Sequence, residues 1–138
     1  MAVYLQTNQI VILPGANANI SSSDTGKIMM TPQTAGGVAS VYTLPVSAAG
    51  LHYRFINGAA AALNGSVQIN TNGAAAILSG NVITGPTNGV ALLAVSGNTQ
   101  IRFLTAASVL GDYIDLYSDG TNWYVNANSR VAGGITVT

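Results

Sequence analysis

Closely spaced turn signals limit the fold of this 138-residue chain more than any other feature of its sequence. Between residues 57 and 98, an Asn-Gly or Ser-Gly-Asn sequence recurs every seven to nine residues. Intervals of that length accommodate short strands, whereas a typical helix needs about 11–12 residues. Asn-Gly and Asp-Gly favour type I′ hairpins, in which both central residues adopt positive φ. Such pairs occur at 57–58, 64–65, 72–73, 88–89 and 119–120.

Between the turns, apolar and polar residues alternate as they do in half-buried strands. In SVQINT at 66–71, the residues Val67, Ile69 and Thr71 share one face. TQIRFLT and HYRFIN repeat the pattern at 99–105 and 52–57, which predicts that Ile101, Phe103, Tyr53 and Phe55 point inward. We therefore predict an all-β chain of many short strands joined by tight turns.

A loop-like stretch divides the chain into a short N-terminal segment and a body. PGANANISSSDTG at 14–26 is rich in Pro, Gly, Asn and Ser, which favour loops over strands. We predict that residues 1–20 form an N-terminal arm or an edge strand and that residues 21–138 form the body, with no second domain.

The composition excludes several classes of function. Only 6% of residues are charged, against roughly a quarter in typical domains, and the net charge is zero. The four cations, Lys27, Arg54, Arg102 and Arg130, are scattered, so no nucleic-acid-binding patch is expected. No apolar run reaches the roughly 18 residues of a membrane-spanning helix, and the first residues lack the basic region of a signal peptide. Mean hydropathy is nevertheless +0.41, which predicts that part of the apolar surface is buried between subunits.

Three of the four acidic residues and three of the six tyrosines lie in one short stretch, GDYIDLYSDGTNWYVNA at 111–127. We predict a hairpin with a two-residue loop at Asp119-Gly120, which places Leu116 opposite Trp123. Alternation along the strands then predicts a core stripe of Ile114, Leu116, Trp123 and Val125. The opposite face carries Tyr113, Asp115, Tyr117, Asn122, Tyr124 and Asn126, and we expect a tyrosine to donate a hydrogen bond to Asp115.

The candidate catalytic and metal-binding groups match no known constellation. Asp112 and Asp115 lie on opposite faces of the predicted strand, which does not suit the paired carboxylates of a glycosidase. The spacing of Asp112, Asp115 and Asp119 does not match a calcium loop, and the chain has no glutamate. His52, the single histidine, lies in a predicted strand, where a structural role is more common than catalysis. We therefore expect no catalytic residue, no metal and no cofactor.

The tyrosine-bearing side of the hairpin has two possible uses. Tyr113, Tyr117 and Tyr124, near asparagines and Asp115, could stack on sugar rings. Aromatic residues are also enriched in protein–protein interfaces, where charge is depleted. Because charge is depleted along the whole chain, we favour a subunit contact over a glycan platform.

Two stretches resemble a module that recurs in structural proteins of tailed phages and other viruses. Residues 21–57 contain an Asp-x-Gly-Lys turn followed by YTLP and AAGLHYRF, and residues 111–127 end on SDGTNWYV. The resemblance implies an antiparallel β-sandwich or jelly-roll-like fold that trimerises. Such modules occur as capsid decoration (cement) proteins and as tail-fibre or tail-spike modules that bind a host receptor or glycan.

Decoration is the expectation that we adopt, because the chain has no fibrous repeat or shaft. A decoration protein would form a homotrimer, bind the major capsid protein and lie on the surface of the virion after synthesis in the host cytoplasm. Neither nucleic acid nor membrane is an expected partner. The residues expected at interfaces are Val3, Tyr4 and Leu5 of the N-terminal segment and Tyr113, Tyr117 and Tyr124 of the hairpin.

Overall fold

A computed structural model describes residues 9–34, 36–59, 63–73, 75–85 and 91–138. Over these residues the chain forms twelve strands and one short 3₁₀ turn, Ser22–Asp24, with no α-helix. The strands are β1 (Ile10–Ile12), β2 (Ala18–Asn19), β3 (Ile28–Thr31), β4 (Ser40–Thr43), β5 (His52–Asn57), β6 (Val67–Asn70), β7 (Leu78–Thr84), β8 (Ala91–Asn98), β9 (Gln100–Phe103), β10 (Tyr113–Ser118), β11 (Trp123–Ser129) and β12 (Ile135–Val137). Within the same residues, no helix is long and apolar enough to cross a membrane.

The strands form two sheets that pack against each other as a sandwich. One sheet has seven strands in the order β1-β3-β5-β10-β11-β7-β8, and the other has five in the order β12-β9-β6-β4-β2. The prediction of an all-β sandwich is therefore confirmed. Alternation along the strands is confirmed as well, since Val67, Ile69, Ile101 and Phe103 are fully buried between the sheets.

The sheets are mixed, whereas the expectation was a purely antiparallel sandwich or jelly roll. Five of the ten strand pairings in the described residues are parallel: β1–β3, β3–β5, β2–β4, β4–β6 and β7–β11. Four of these five pairings join strands among the first six, which alternate between the two sheets. A chain that crosses to the other sheet and back returns in its original direction, so the strands that become neighbours in each sheet are parallel.

The predicted type I′ turns are wrong wherever the structure describes them. A type I′ turn needs positive φ at both central residues, and Ala106 is the only described non-glycine residue with positive φ. Asn57, for example, is buried at the end of β5, where its amide donates to the Ser108 hydroxyl and its carbonyl accepts from the Ala59 amide. The pair at 88–89 lies outside the described residues.

The core is dominated by large aromatic side chains from both sheets. Trp123, Tyr53 and Phe55 from the larger sheet and Tyr42 and Phe103 from the smaller one are fully buried. The rings of Tyr53 and Trp123 meet at a tilt of 41°, with their centroids 5.9 Å apart. Among described buried side-chain atoms, the Trp123 indole nitrogen alone has no hydrogen-bond partner, so Trp123 contributes through packing.

The N-terminal segment supplies an edge strand to each sheet. β1 is the edge of the seven-stranded sheet, where it pairs with β3, and β2 is the edge of the five-stranded sheet, where it pairs with β4. Val3, Tyr4 and Leu5, the predicted interface residues of this segment, lie outside the described residues.

Candidate functional site

The two strands of the C-terminal hairpin pair in a register that is shifted by two residues from the predicted one. Ser118 lies opposite Trp123, and Leu116 lies opposite Val125, so the loop contains four residues, 119–122, rather than two. Asp119 accounts for the difference, because its carboxylate accepts hydrogen bonds from the backbone amides of Thr121 and Asn122, both at 2.8 Å. A shift of two residues preserves the face of every side chain. Accordingly, the four residues predicted for the core stripe, Ile114, Leu116, Trp123 and Val125, are all buried.

The solvent side of the seven-stranded sheet, which we call the outer face, carries an exposed aromatic row. His52, Tyr117 and Tyr124 lie side by side on β5, β10 and β11. The rings of His52 and Tyr117 stack with centroids 5.0 Å apart and an angle of 4° between their planes. Tyr117 is 44% exposed and Tyr124 is 47% exposed. We call these three residues the aromatic row.

Tyr113 does not join the aromatic row. It lies four residues before Tyr117 on β10 and pairs with Ile56 on β5. Its ring is half-buried beneath the Arg54 guanidinium, whose carbon lies 5.1 Å from the ring centroid. Of the three tyrosines predicted on this face, Tyr117 and Tyr124 are therefore neighbours, and Tyr113 is set apart from them.

Asp115 pairs with Arg54, which corrects the expected hydrogen bond from a tyrosine. The guanidinium donates from Nε and Nη2 to the two carboxylate oxygens, both at 2.6 Å. Asp115 is 2% exposed, whereas 46% of the Arg54 side chain remains exposed. The hydrogen bond to Asp115 is the main cause that raises the pKa of Arg54. The ion pair leaves little net charge on the outer face.

Asp119 joins the hairpin loop to the aromatic row. Its Oδ2 accepts a hydrogen bond of 2.9 Å from the Tyr124 hydroxyl. The backbone amides of Asn122 and Thr121, followed by the Tyr124 hydroxyl, lower the pKa of Asp119. The same hydrogen bond and the nearby negative charge raise the pKa of Tyr124. This hydrogen bond ties the exposed Tyr124 ring to the hairpin loop.

The two remaining carboxylates are also bound by the chain itself. Asp112 is 1% exposed and accepts from the hydroxyls of Ser108 and Ser129 and from the backbone amides of Val109 and Arg130, at 2.8–3.0 Å. Asp24 forms an ion pair of 2.6 Å with Lys27. All four acidic side chains therefore have structural roles. Over the described residues, no group of three or more His, Cys, Asp or Glu could hold a metal ion.

Sequence reasoning missed a row that crosses the whole outer face, which we call the apolar row because all its members except Asn128 are apolar or aromatic. The strand registers place the following residues side by side from one edge of the sheet to the other: Ile12, Met30, Ile56, Tyr113, Asn128, Ile83 and Leu92. The two ends of this row are the most open, since Ile12 is 75% exposed and Leu92 is 68% exposed. No local signal identifies the row, because its members come from seven strands spread along the chain.

Comparisons with known protein families, with curated proteins and with solved structures found no match to this chain. Function is therefore inferred from the chemistry of the outer face together with the sequence resemblance of residues 21–57 and 111–127.

Proposed function

We propose that this chain is a structural component of a phage virion, a capsid decoration protein that stabilises the shell. In this role it binds the major capsid protein and further copies of itself, as a homotrimer on the capsid surface. Binding only to the assembled shell stabilises the shell by mass action. No catalytic activity, cofactor or nucleic-acid partner is part of the proposal.

The observation that carries this proposal is the chemical character of the outer face. It exposes aromatic and aliphatic side chains in two ordered rows, while its one carboxylate, Asp115, is buried and neutralised by Arg54. Aromatic enrichment and depletion of charge are typical of the centres of protein interfaces. A rigid sandwich that presents such a face suits many identical contacts in a lattice better than it suits chemistry on a substrate.

The resemblance of residues 21–57 and 111–127 to phage virion modules supports the same role. Those two stretches contribute β3, β4, β5, β10 and β11, and β3, β5, β10 and β11 are adjacent in the seven-stranded sheet. We further propose that Val3, Tyr4 and Leu5 of the N-terminal segment contact a neighbouring subunit, as the sequence suggested.

Co-sedimentation with phage shells that lack the protein tests the proposal. We expect the wild-type chain to pellet with the shells and the double variant Tyr117→Ala/Tyr124→Ala to bind at least about tenfold more weakly, because both rings leave the contact. Val38→Ala is a matched control, since Val38 is 66% exposed and precedes β4 of the other sheet. Removal of residues 1–8 tests the N-terminal contact in the same assay. Wild-type protein that stays in the supernatant at saturating shell concentration would refute the decoration role.

A tail-fibre or tail-spike module that binds a host glycan is the second candidate, and the aromatic row favours it. Tyr124 is exposed, as a sugar-stacking ring would need to be, and is tied to the hairpin loop by Asp119. A small recess of about 120 Å³ beside His52, lined in part by Lys27 and Arg54, adds polar donors next to the rings. Binding on a glycan array that Tyr124→Ala abolishes and Val38→Ala preserves, together with no binding to shells, would favour this role over decoration.

A further inference from the structure

Within the described residues, neither edge strand of the seven-stranded sheet, β1 or β8, has a second neighbour, and both share the features of a strand-pairing site. β8 is eight residues long, ALLAVSGN, and contains neither a charge nor a proline. Natural sheets commonly protect edge strands with lysine, proline or short length. Leu92 is 68% exposed on the outer face, and Leu93 is 40% exposed on the opposite face of the same strand. At the other edge, Ile10 and Ile12 on β1 are 58% and 75% exposed.

At each edge, the residues whose side chains lie on the outer face are also the residues whose backbone groups point away from the sheet. Leu13 donates its amide to the Met30 carbonyl, and Gln9 accepts from the Ile28 amide. Odd-numbered residues of β1 therefore face β3, which leaves the amide and carbonyl groups of Ile10 and Ile12 directed away from the sheet.

The same reasoning applies to β8. Trp123 donates to the Ile77 carbonyl and Gly85 donates to the Ser129 carbonyl, so odd-numbered residues of β7 face β11. Even-numbered residues such as Val82 then face β8 and bond to their partners, for example Leu93. The amide and carbonyl groups of Leu92 and Ala94 are left directed away from the sheet.

We propose that β8 of one copy pairs with β1 of the next copy, so that the seven-stranded sheet continues from subunit to subunit. The two strands run antiparallel within the sheet, because β1, β3, β5, β11 and β7 share one direction and β8 opposes it. Continuing the existing rows places Leu92 opposite the partner's Ile12 and Ala94 opposite the partner's Ile10. The outward backbone groups then meet in hydrogen-bonded pairs, and the most exposed aliphatic side chains of both edges cover one another.

The absence of charged residues from both edge strands favours a second copy of this chain as the binding partner. Neither strand carries a charged residue, so their contact brings no like charges together and leaves no buried ion unpaired. A head-to-tail contact of this kind joins different surfaces and closes into a ring when the rotation allows. This inference rests on the proposed function to the extent that it supplies the contact of the proposed homotrimer.

Paired lysine variants test the contact from both sides. Leu92→Lys/Ala94→Lys alters β8, Ile10→Lys/Ile12→Lys alters β1, and Val38→Lys/Val46→Lys adds the same charge at exposed sites outside the strands. In sedimentation-velocity titrations at micromolar concentration, we expect the wild type and the control to associate. Each edge variant should associate at least about tenfold more weakly, because the altered edge buries charge.

Mixing the two edge variants distinguishes a head-to-tail contact from a symmetric one. The β1 variant keeps an intact β8, and the β8 variant keeps an intact β1. An equimolar mixture should therefore form a one-to-one heterodimer at concentrations where neither variant associates alone. A two-fold contact between β8 strands predicts instead that the β1 variant dimerises alone and that mixing restores nothing. Either that result or a wild type that stays monomeric overturns the inference.

Hydrogen exchange on the wild-type chain provides a test that needs no variant to fold. The amides of Ile10, Ile12, Leu92 and Ala94 should exchange at least about tenfold more slowly in the associated state than in dilute solution. Equal exchange in both states overturns the pairing. Shell co-sedimentation of the same proteins separates the two proposals, since wild-type shell binding without complementation between edge variants refutes only the edge contact. Complementation without shell binding refutes only the decoration role.

Discussion

At the scale of single residues, Asp112, Asp115 and Asp119 show how one residue type fills three structural roles within one hairpin. Asp112 is buried among four donors, Asp115 is neutralised by Arg54, and Asp119 caps the loop. Each of these three carboxylates accepts hydrogen bonds from the chain itself, so each has a structural role in or beside the hairpin.

Asp119 should make the hairpin sensitive to acid. Its pKa in the folded chain lies below the usual value of about 4, so its contribution to stability is present above that value. The contribution is lost as the pH falls through the lowered pKa. We expect Asp119→Asn to flatten the decline in urea midpoint on acidification below about pH 4. A carboxyl carbon signal of Asp119 that titrates at or above the usual value would contradict this prediction.

Gly80 lies where two strands approach too closely for a side chain. A Cβ atom at this position would lie 2.1 Å from the Val125 carbonyl oxygen. The φ angle of Gly80 is +145°. We expect Gly80→Ala to lower the free energy of unfolding by about 3 kcal/mol, because backbone atoms cannot move aside as side chains can. The matched control is Gly73→Ala, with φ +90° but no atom within 4 Å, which should cost about 1 kcal/mol. Equal losses in chemical denaturation would show that backbone conformation, and not crowding, governs Gly80.

At the scale of elements, the connections between strands matter more than the strands themselves. β1 to β6 alternate between the two sheets, so the connection from β5 to β6, where Asn-Gly pairs at 57–58 and 64–65 predicted hairpins, is a crossover. Local turn chemistry specifies that the chain reverses direction, but not whether the next strand returns to the same sheet. Which sheet the next strand joins depends on which sheet buries the apolar face of that strand.

Asp112 should contribute to the stability of the fold because its hydrogen bonds join the loop before β10 to the end of β11. Its Oδ2 accepts from the Val109 amide as well as from the Ser108 and Ser129 hydroxyls. In Asp112→Asn, the amide nitrogen would face a backbone N–H in either orientation, that of Val109 or that of Arg130, and neither N–H can become an acceptor. We expect a loss of about 2–3 kcal/mol in urea denaturation, because one buried donor remains unpaired.

Asn126→Ala is the matched control for Asp112→Asn, since Asn126 lies exposed on the adjacent strand β11. It should change stability by less than about 0.5 kcal/mol. Losses of stability of similar size in the two variants would show that Asp112 does not stabilise the contact between these elements.

At the scale of the whole molecule, tyrosines buried in the core couple folding to alkaline pH. Burial, with a further contribution from the negative charge of Asp24, raises the pKa of Tyr53 to about 12. Burial also raises the pKa of Tyr42, although a hydrogen bond with Ser40 opposes the shift. The buried phenols resist ionisation, whereas in the unfolded chain they ionise near pH 10.

Stability should therefore be lost at high pH. A raised pKa in the folded state contributes stability that is complete below pH 10 and disappears as the pH rises towards about 12. We expect the urea midpoint to fall over this window, and unfolding should raise the tyrosinate absorbance because the exposed phenols ionise. Tyr53→Phe should lessen the fall, although it also removes the 3.0 Å hydrogen bond to the Ser21 carbonyl. A midpoint that is constant to pH 12 would contradict the prediction.

The sequence by itself determined the local properties of this protein. Turn spacing specified short strands, and alternation specified which side chains of β5, β6, β9, β10 and β11 point inward, because both signals arise within a few residues. It also placed Tyr117 and Tyr124 on one exposed face. The tertiary structure alone decided strand order, parallel pairing, the partner of Asp115 and the apolar row from Ile12 to Leu92. These features depend on strands far apart in the chain, which come together only when the two sheets bury their apolar faces against each other.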